Sequence, residues 1–146
     1  RPSEMLNIKR SDVDLETMTI KGGSKTEAGK NRIVPIHSRI RNIFYEFWIG
    51  SADSEGLFPR SPQKRKTHLN YDTYRSVFKQ RNTLAKCPNA HTAHDCRKQF
   101  VTMAKKANVN EYALKRLVGH YISDITENVY TDRPISWLRE EIEKIK

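Results

Sequence analysis

The sequence predicts an α+β domain, mainly helical with one small antiparallel β-sheet. Three observations carry this. Two short apolar stretches, residues 17–20 and 33–36, flank a Gly-rich polar segment, the pattern of a β-hairpin with a long tip. From residue 36 onward apolar side chains recur at three- and four-residue spacing, as in amphipathic helices. The 146 residues suit one domain, and 36% hydrophobic against 30% charged residues can build one core beneath a charged surface.

Arg1-Pro2-Ser3-Glu4-Met5-Leu6 opens the chain without Met and reads as the middle of a longer protein, with Arg1 in a helix. Ser11-Asp12-Val13-Asp14 is turn chemistry, because short Asx and Ser side chains cap their own backbone. Met18 and Ile20 then alternate with Thr17 and Thr19 as in a half-buried strand; residues 22–31 form the hairpin tip and Ile33-Val34-Pro35-Ile36 the return strand. Ile36, Ile40, Ile43, Phe44 and Phe47 predict a buried helical stripe capped by Ser38 and ended at Gly50. Two prolines and four basic residues keep 59–66 irregular. Tyr74, Val77, Phe78 and Leu84 mark the next helix, closed at Cys87-Pro88-Asn89. A further helix is expected to start at Thr92 as N-cap and to bury Cys96, Phe100, Met103, Ala104 and Ala107. Asn110 caps a short helix carrying Leu114, Leu117 and Val118, which Gly119 terminates. Trp137, Leu138, Ile142 and Ile145 belong to a terminal helix over 135–146.

Charge narrows the function. The 27 Lys and Arg against 17 Asp and Glu leave +10, with a pI near 9.8, which points to a polyanionic partner whose phosphates release counterions on binding. No apolar run approaches the roughly 18 residues of a membrane span, so a soluble protein is expected. Two cysteines and no leader pattern make a reducing cytoplasm the default.

The chemistry concentrates late in the chain. His94 and Arg97 lie three apart on one helix face, away from the apolar stripe. His120 follows Gly119, so it projects from a sharp helix end, and Tyr130 comes ten positions later. A tyrosine hydroxyl, with an ordinary pKa near 10, becomes a nucleophile only where cations stabilise its phenolate. Each residue also has a plainer reading: a solvated helix face, a C-cap, an aromatic ring packed on a core. Their co-occurrence in order is what carries weight.

In that order the chain resembles the catalytic domain of the tyrosine recombinases, the phage and transposon integrase family, over essentially its whole length. The matching motifs are Arg1-Pro2-Ser3-Glu4, Lys25-Thr26 with Arg32-Ile33-Val34-Pro35-Ile36, Thr92-Ala93-His94-Asp95-Cys96-Arg97, Leu117-Val118-Gly119-His120, and Asp124-Ile125-Thr126-Glu127-Asn128-Val129-Tyr130-Thr131. The ten-residue step to Tyr130 is similar to that of integrases from conjugative transposons and phages of Gram-positive bacteria. The resemblance implies the DNA breaking-rejoining fold and site-specific recombination by strand cleavage through a 3′-phosphotyrosyl intermediate on Tyr130. It implies that Arg1, Arg97, His94 and His120 stabilise the phosphorane, that His94 is also a candidate base, and that Lys25 is the general acid, with Lys30 and Lys21 as rivals. It implies no cofactor and no metal, since guanidinium and imidazole supply the charge. Lys98-Gln99 departs from the commoner family pattern.

Lys64, Arg65, Lys66, Lys98, Lys105 and Lys106 are expected on flanking DNA backbone. The resemblance also implies upstream catalytic and DNA-binding parts absent from 1–146, so this piece alone is expected to be inactive. It implies assembly as a homotetramer on double-stranded DNA through helix 135–146, docking in cis or trans, possible excision or directionality factors, and a bacterial cytoplasmic setting for an element-encoded protein. Three other readings compete. A zinc site among Cys87, His91, His94 and Cys96 is disfavoured because His94 and Cys96, two apart on a helix, point about 200° apart. A basic DNA-binding module has no use for Tyr130. A type IB topoisomerase would share both fold and chemistry.

Overall fold

The structure is a computed structural model, and it describes residues 1–58, 69–89, 91–126 and 133–146. A short helix α1 (Pro2–Leu6), with Pro2 in its first turn, leads through a 3₁₀ turn at Arg10–Asp12 into the sheet. Three antiparallel strands follow in the order β1 (Val13–Asp14), β2 (Thr19–Gly22) and β3 (Arg32–Pro35). The hairpin expected from the sequence is β2–β3, with Ile20 opposite Val34 and Gly22 opposite Arg32.

Two details of that region differ from expectation. The segment read as turn chemistry contributes a strand of its own, Val13 pairing with Ile20. The turn falls one step later, where the Asp14 carboxylate accepts the Thr17 N–H at 3.0 Å and Met18 takes a left-handed φ of 47°. Met18 is therefore a turn residue rather than a strand residue, although its side chain still packs on the core with Ile20.

Helices α2 (Arg41–Gly50), α3 (Tyr71–Leu84), α4 (Asp95–Lys106), α5 (Glu111–Val118) and α6 (Ile135–Ile142) complete the described part. α5 has the ends that its sequence dictates. The Asn110 side chain accepts from the Tyr112 and Ala113 amides, and Gly119 turns the chain at φ 69°.

Two helices depart from their predicted faces. α2 begins after a 3₁₀ turn at Ser38–Ile40 whose cap is the His37 side chain, not Ser38. Of its predicted stripe Phe44 is buried within the helix and Ile36 before it; Ile40, Ile43 and Phe47 are about half exposed or more. In α4 the N-cap is His94; Thr92 instead donates its N–H and hydroxyl to the Asp95 carboxylate, and Cys96 is exposed while Ala104 is buried.

The main core lies between α4, α5, α6 and the sheet. Ala104, Val109, Leu114, Leu117, Leu138 and Ile142 meet there, and Val34 packs against them. A second, smaller core gathers Ile36, Phe44 and Leu57 under β2. The terminal helix is docked on its own chain. Asn110 N–H donates to Glu141 at 2.7 Å, and Glu143 takes the Ser38 N–H at 2.8 Å. Among the described residues no helix is long and apolar enough to cross a membrane.

Candidate functional site

Three segments far apart in sequence meet beside β3: the start of α1, the tip of the β2–β3 hairpin, and the turn after α5. Glu4 sits at their junction. Its carboxylate pairs with Arg1 at 3.3 Å and with Arg32 at 3.2 Å, and accepts the Ser24 and Lys25 N–H groups at 3.4 Å each. Burial alone would raise its pKa, but the Arg32 hydrogen bond and charge and the Ser24 N–H outweigh it and hold the carboxyl at about 2. Glu4 is thus a permanent anion within a cation cluster. A cleft of about 190 Å³ is lined here by Arg1, Glu4, Gly23, Arg32 and Leu117.

Arg97, one turn into α4, reaches across to the far end of α5 and donates to the Val118 carbonyl at 2.5 Å. Burial, then the positive charges of Arg1 and Arg32, press its pKa below the ordinary arginine value, so the three guanidiniums lie close enough to repel one another. His120 stands at the rim of the same cluster. Its imidazole pKa is lowered by burial and by the charges of Arg97, Arg1 and Lys115. Three guanidiniums gather here against one carboxylate, which pairs with Arg1 and Arg32 and leaves a local surplus of positive charge suited to an anion.

The turn geometry that delivers His120 is specific to glycine. At Gly119 a Cβ would come within 2.8 Å of the Gly29 Cα and 3.1 Å of Arg32, on top of the positive φ; at Gly23 it would overlap the Gly29 carbonyl. The hairpin tip therefore presses directly onto the Gly119-His120 turn, and the Thr26 hydroxyl donates to the Gly119 carbonyl at 3.4 Å.

Of the residues singled out from the sequence, Arg1, Arg97 and His120 come together. Lys25 is exposed on the tip, anchored through its amide to Glu4. His94 is exposed at the α4 N-cap, its carbonyl accepting the Arg97 N–H at 3.1 Å. Tyr130, Lys64, Arg65 and Lys66 lie outside the described residues. Lys98 is paired with Asp95 at 2.9 Å, whereas Lys105 and Lys106 are exposed in the last turn of α4. A wider groove of about 710 Å³, lined by Phe78, Asn82, Cys96 and Phe100, runs along α3 and α4 and includes none of Arg1, Arg97 and His120. Sequence reading gave no role to Glu4 or Arg32, although both stand in the quoted motifs. A lone charged residue opening the apolar strand Ile33–Ile36 was the available signal for Arg32.

With this geometry in place, the comparisons with known proteins are unambiguous as to class. The sequence pattern of the phage integrase family matches residues 1–134, and the chain belongs to that family. Among its relatives are the "Tyrosine recombinase XerA" of Thermococcus kodakarensis, 29% identical over all of this chain and 51% of that protein, and the "Prophage integrase IntF" of Escherichia coli, 28% identical over all of this chain and 31% of that one. The fold is shared with the integrase from mycobacterium phage Brujita (TM-score 0.71, 21% identity, 100% of this chain and 47% of that chain). It is also shared with a XerA recombinase crystal structure (TM-score 0.66, 23% identity, 96% and 51%). The chain spans about half the length of the XerA relatives it matches.

Proposed function

We propose that this chain is the catalytic part of a site-specific recombinase that cleaves and rejoins double-stranded DNA through Tyr130. The observation that carries this reading is the convergence of Arg1, Arg97 and His120 into one positively charged cluster, in a member of the phage integrase family. A scissile phosphodiester gathers negative charge on its non-bridging oxygens as it becomes five-coordinate, and guanidinium forks answer that charge geometrically as well as electrostatically. The Tyr130 hydroxyl attacks phosphorus, His94 takes its proton, and the P–O5′ bond breaks as Lys25 protonates the leaving oxygen. The phosphotyrosine conserves the bond, so a 5′-hydroxyl of a partner strand reverses the step and reseals the strand.

The protein acts in this reading as a homotetramer on DNA, together with upstream domains beyond 1–146 and an excision or directionality factor. Residues 135–146 are the proposed assembly contact. The groove they fill in cis is identical on every protomer, so a neighbour's helix can fill it in trans.

A nicked suicide substrate tests the reaction in the full-length protein. Wild type should trap a covalent protein–DNA adduct, Tyr130→Phe none, and Arg97→Ala should cleave at least about 100-fold more slowly. Failure of wild type to form an adduct on its own recombination site would refute the proposal.

A further inference from the structure

We infer that Arg32 is a positioning residue, the fastener that sets the Lys25-bearing hairpin tip against the Arg1–Arg97–His120 cluster; this rests on the cleavage reading above. Its guanidinium spends each nitrogen on a different segment. Nε donates to the Leu117 carbonyl at 3.2 Å, Nη1 to the Gly29 carbonyl at 2.9 Å, and Nη2 to the Glu4 carboxylate at 3.2 Å. Leu117 ends two residues before the Gly119-His120 turn, Gly29 belongs to the tip that carries Lys25, and Glu4 holds Arg1. One half-buried side chain therefore joins all three carriers of the site.

Its surroundings are fitted to it. A methyl group at Gly29, at Gly23 or at Gly119 would fall within 3.2 Å of Nη1. Glycine at three unconnected positions makes the slot in which the guanidinium plane lies. A lysine offers a single point charge, so it can keep the Glu4 pair but cannot also reach the two carbonyls. Without those bonds the side-chain hydrogen bonds that still tie the tip to α1 and to the α5 turn, among the described residues, are the weaker 3.4 Å contacts of Glu4 and Thr26. Arg32 touches no scissile atom in this scheme; it acts on the proton donor's position, where a displacement of about 1 Å can cost about 100-fold.

The test uses the full-length protein and two suicide substrates, one with the natural 5′-oxygen leaving group and one with sulfur in its place, which departs without a proton. Arg32→Lys should cleave the oxygen substrate about 30- to 100-fold more slowly, bind the DNA site within about threefold of wild type, and recover most of the lost rate on the sulfur substrate. Arg97→Ala, which loses phosphate contacts rather than the proton, should not recover. Gly29→Ala is the milder companion should Arg32→Lys fail to fold: its φ is ordinary, and its Cβ would stand 2.9 Å from the Thr26 hydroxyl and 3.2 Å from Nη1 of Arg32, so both flexible ends of the fastening must give a little. It should slow the oxygen substrate about three- to tenfold, again relieved by sulfur. Unchanged cleavage in both variants, a loss that follows DNA binding or melting, or a loss that sulfur does not relieve would each overturn the inference. A wild type that forms no adduct overturns the cleavage reading instead, so the two failures are separable.

Discussion

His120 shows how a single residue reports the state of the whole site. Burial and the charges of Arg97, Arg1 and Lys115 hold its pKa below the ordinary histidine value of about 6.5, so the imidazole is neutral in the free protein at neutral pH. The sign is that of a depressed group. Protonating it becomes costly to the fold as pH falls below 6.5, because the unfolded chain then binds more protons. A bound phosphodiester reverses the balance, since its negative charge favours the imidazolium and raises the pKa. DNA binding should therefore take up a fraction of a proton, at most about one, and affinity should rise as pH falls below the ordinary histidine value of about 6.5. Calorimetry of the Tyr130→Phe full-length protein, in two buffers of different ionisation enthalpy, measures this uptake. It should shrink in the same protein carrying His120→Gln, and an unchanged uptake would remove His120 from the phosphate.

Elements were legible in the sequence where their determinants are local. Asn110 and Gly119 fix both ends of α5 by capping and by a left-handed φ, and each needs only its neighbours in sequence. Faces were less legible, because burial depends on what arrives from elsewhere. The α2 stripe leaves Ile43 60% exposed, and Cys96 lies outside on α4, although both repeat at helical spacing. In the site, Arg1, Arg97 and His120 were recognisable from motif order, but the links of Arg32 to Glu4 and Leu117 span 28 and 85 residues and leave no periodic trace. Helix α6 makes the same point with a consequence. The sequence weighed a segment free to exchange against one packed on its own domain; in the structure Leu138, Ile142 and Ile145 stand in the main core beside Leu114 and Leu117. Each such side chain is worth about 2–5 kcal/mol, so losing three rivals the stability of a whole domain. Deleting 135–146 should thus lower the melting temperature and weaken single-site DNA binding along with synapsis. Loss of synapsis alone, with an unchanged melting temperature, would mean that α6 contributes nothing to its own core.

At the scale of the whole molecule the charge of +10 divides into cations with different surroundings. Arg1, Arg32 and Arg97 are half-buried and committed to carboxylate or carbonyl partners, so they shape a site rather than a diffuse field. Lys98 is exposed yet paired with Asp95, whose carboxyl lies well below the usual range because of the Thr92 N–H and the Lys98 ammonium. Releasing Lys98 to a phosphate would leave Asp95 facing the same DNA. Lys105 and Lys106 stand exposed in the last turn of α4. Counterion release gives each neutralised phosphate a slope of about 0.9 in log affinity against log salt. If the α4 end tracks the backbone, changing Lys105 and Lys106 together to Gln should flatten the slope by about 1.8, while Lys98→Gln should change it by well under 0.9. Mobility shifts of the cleavage-silent Tyr130→Phe protein, at four or five salt concentrations, give these slopes directly. Equal slopes for the double variant and its parent would take the α4 end off the DNA and assign the electrostatic footprint to other cations of the chain.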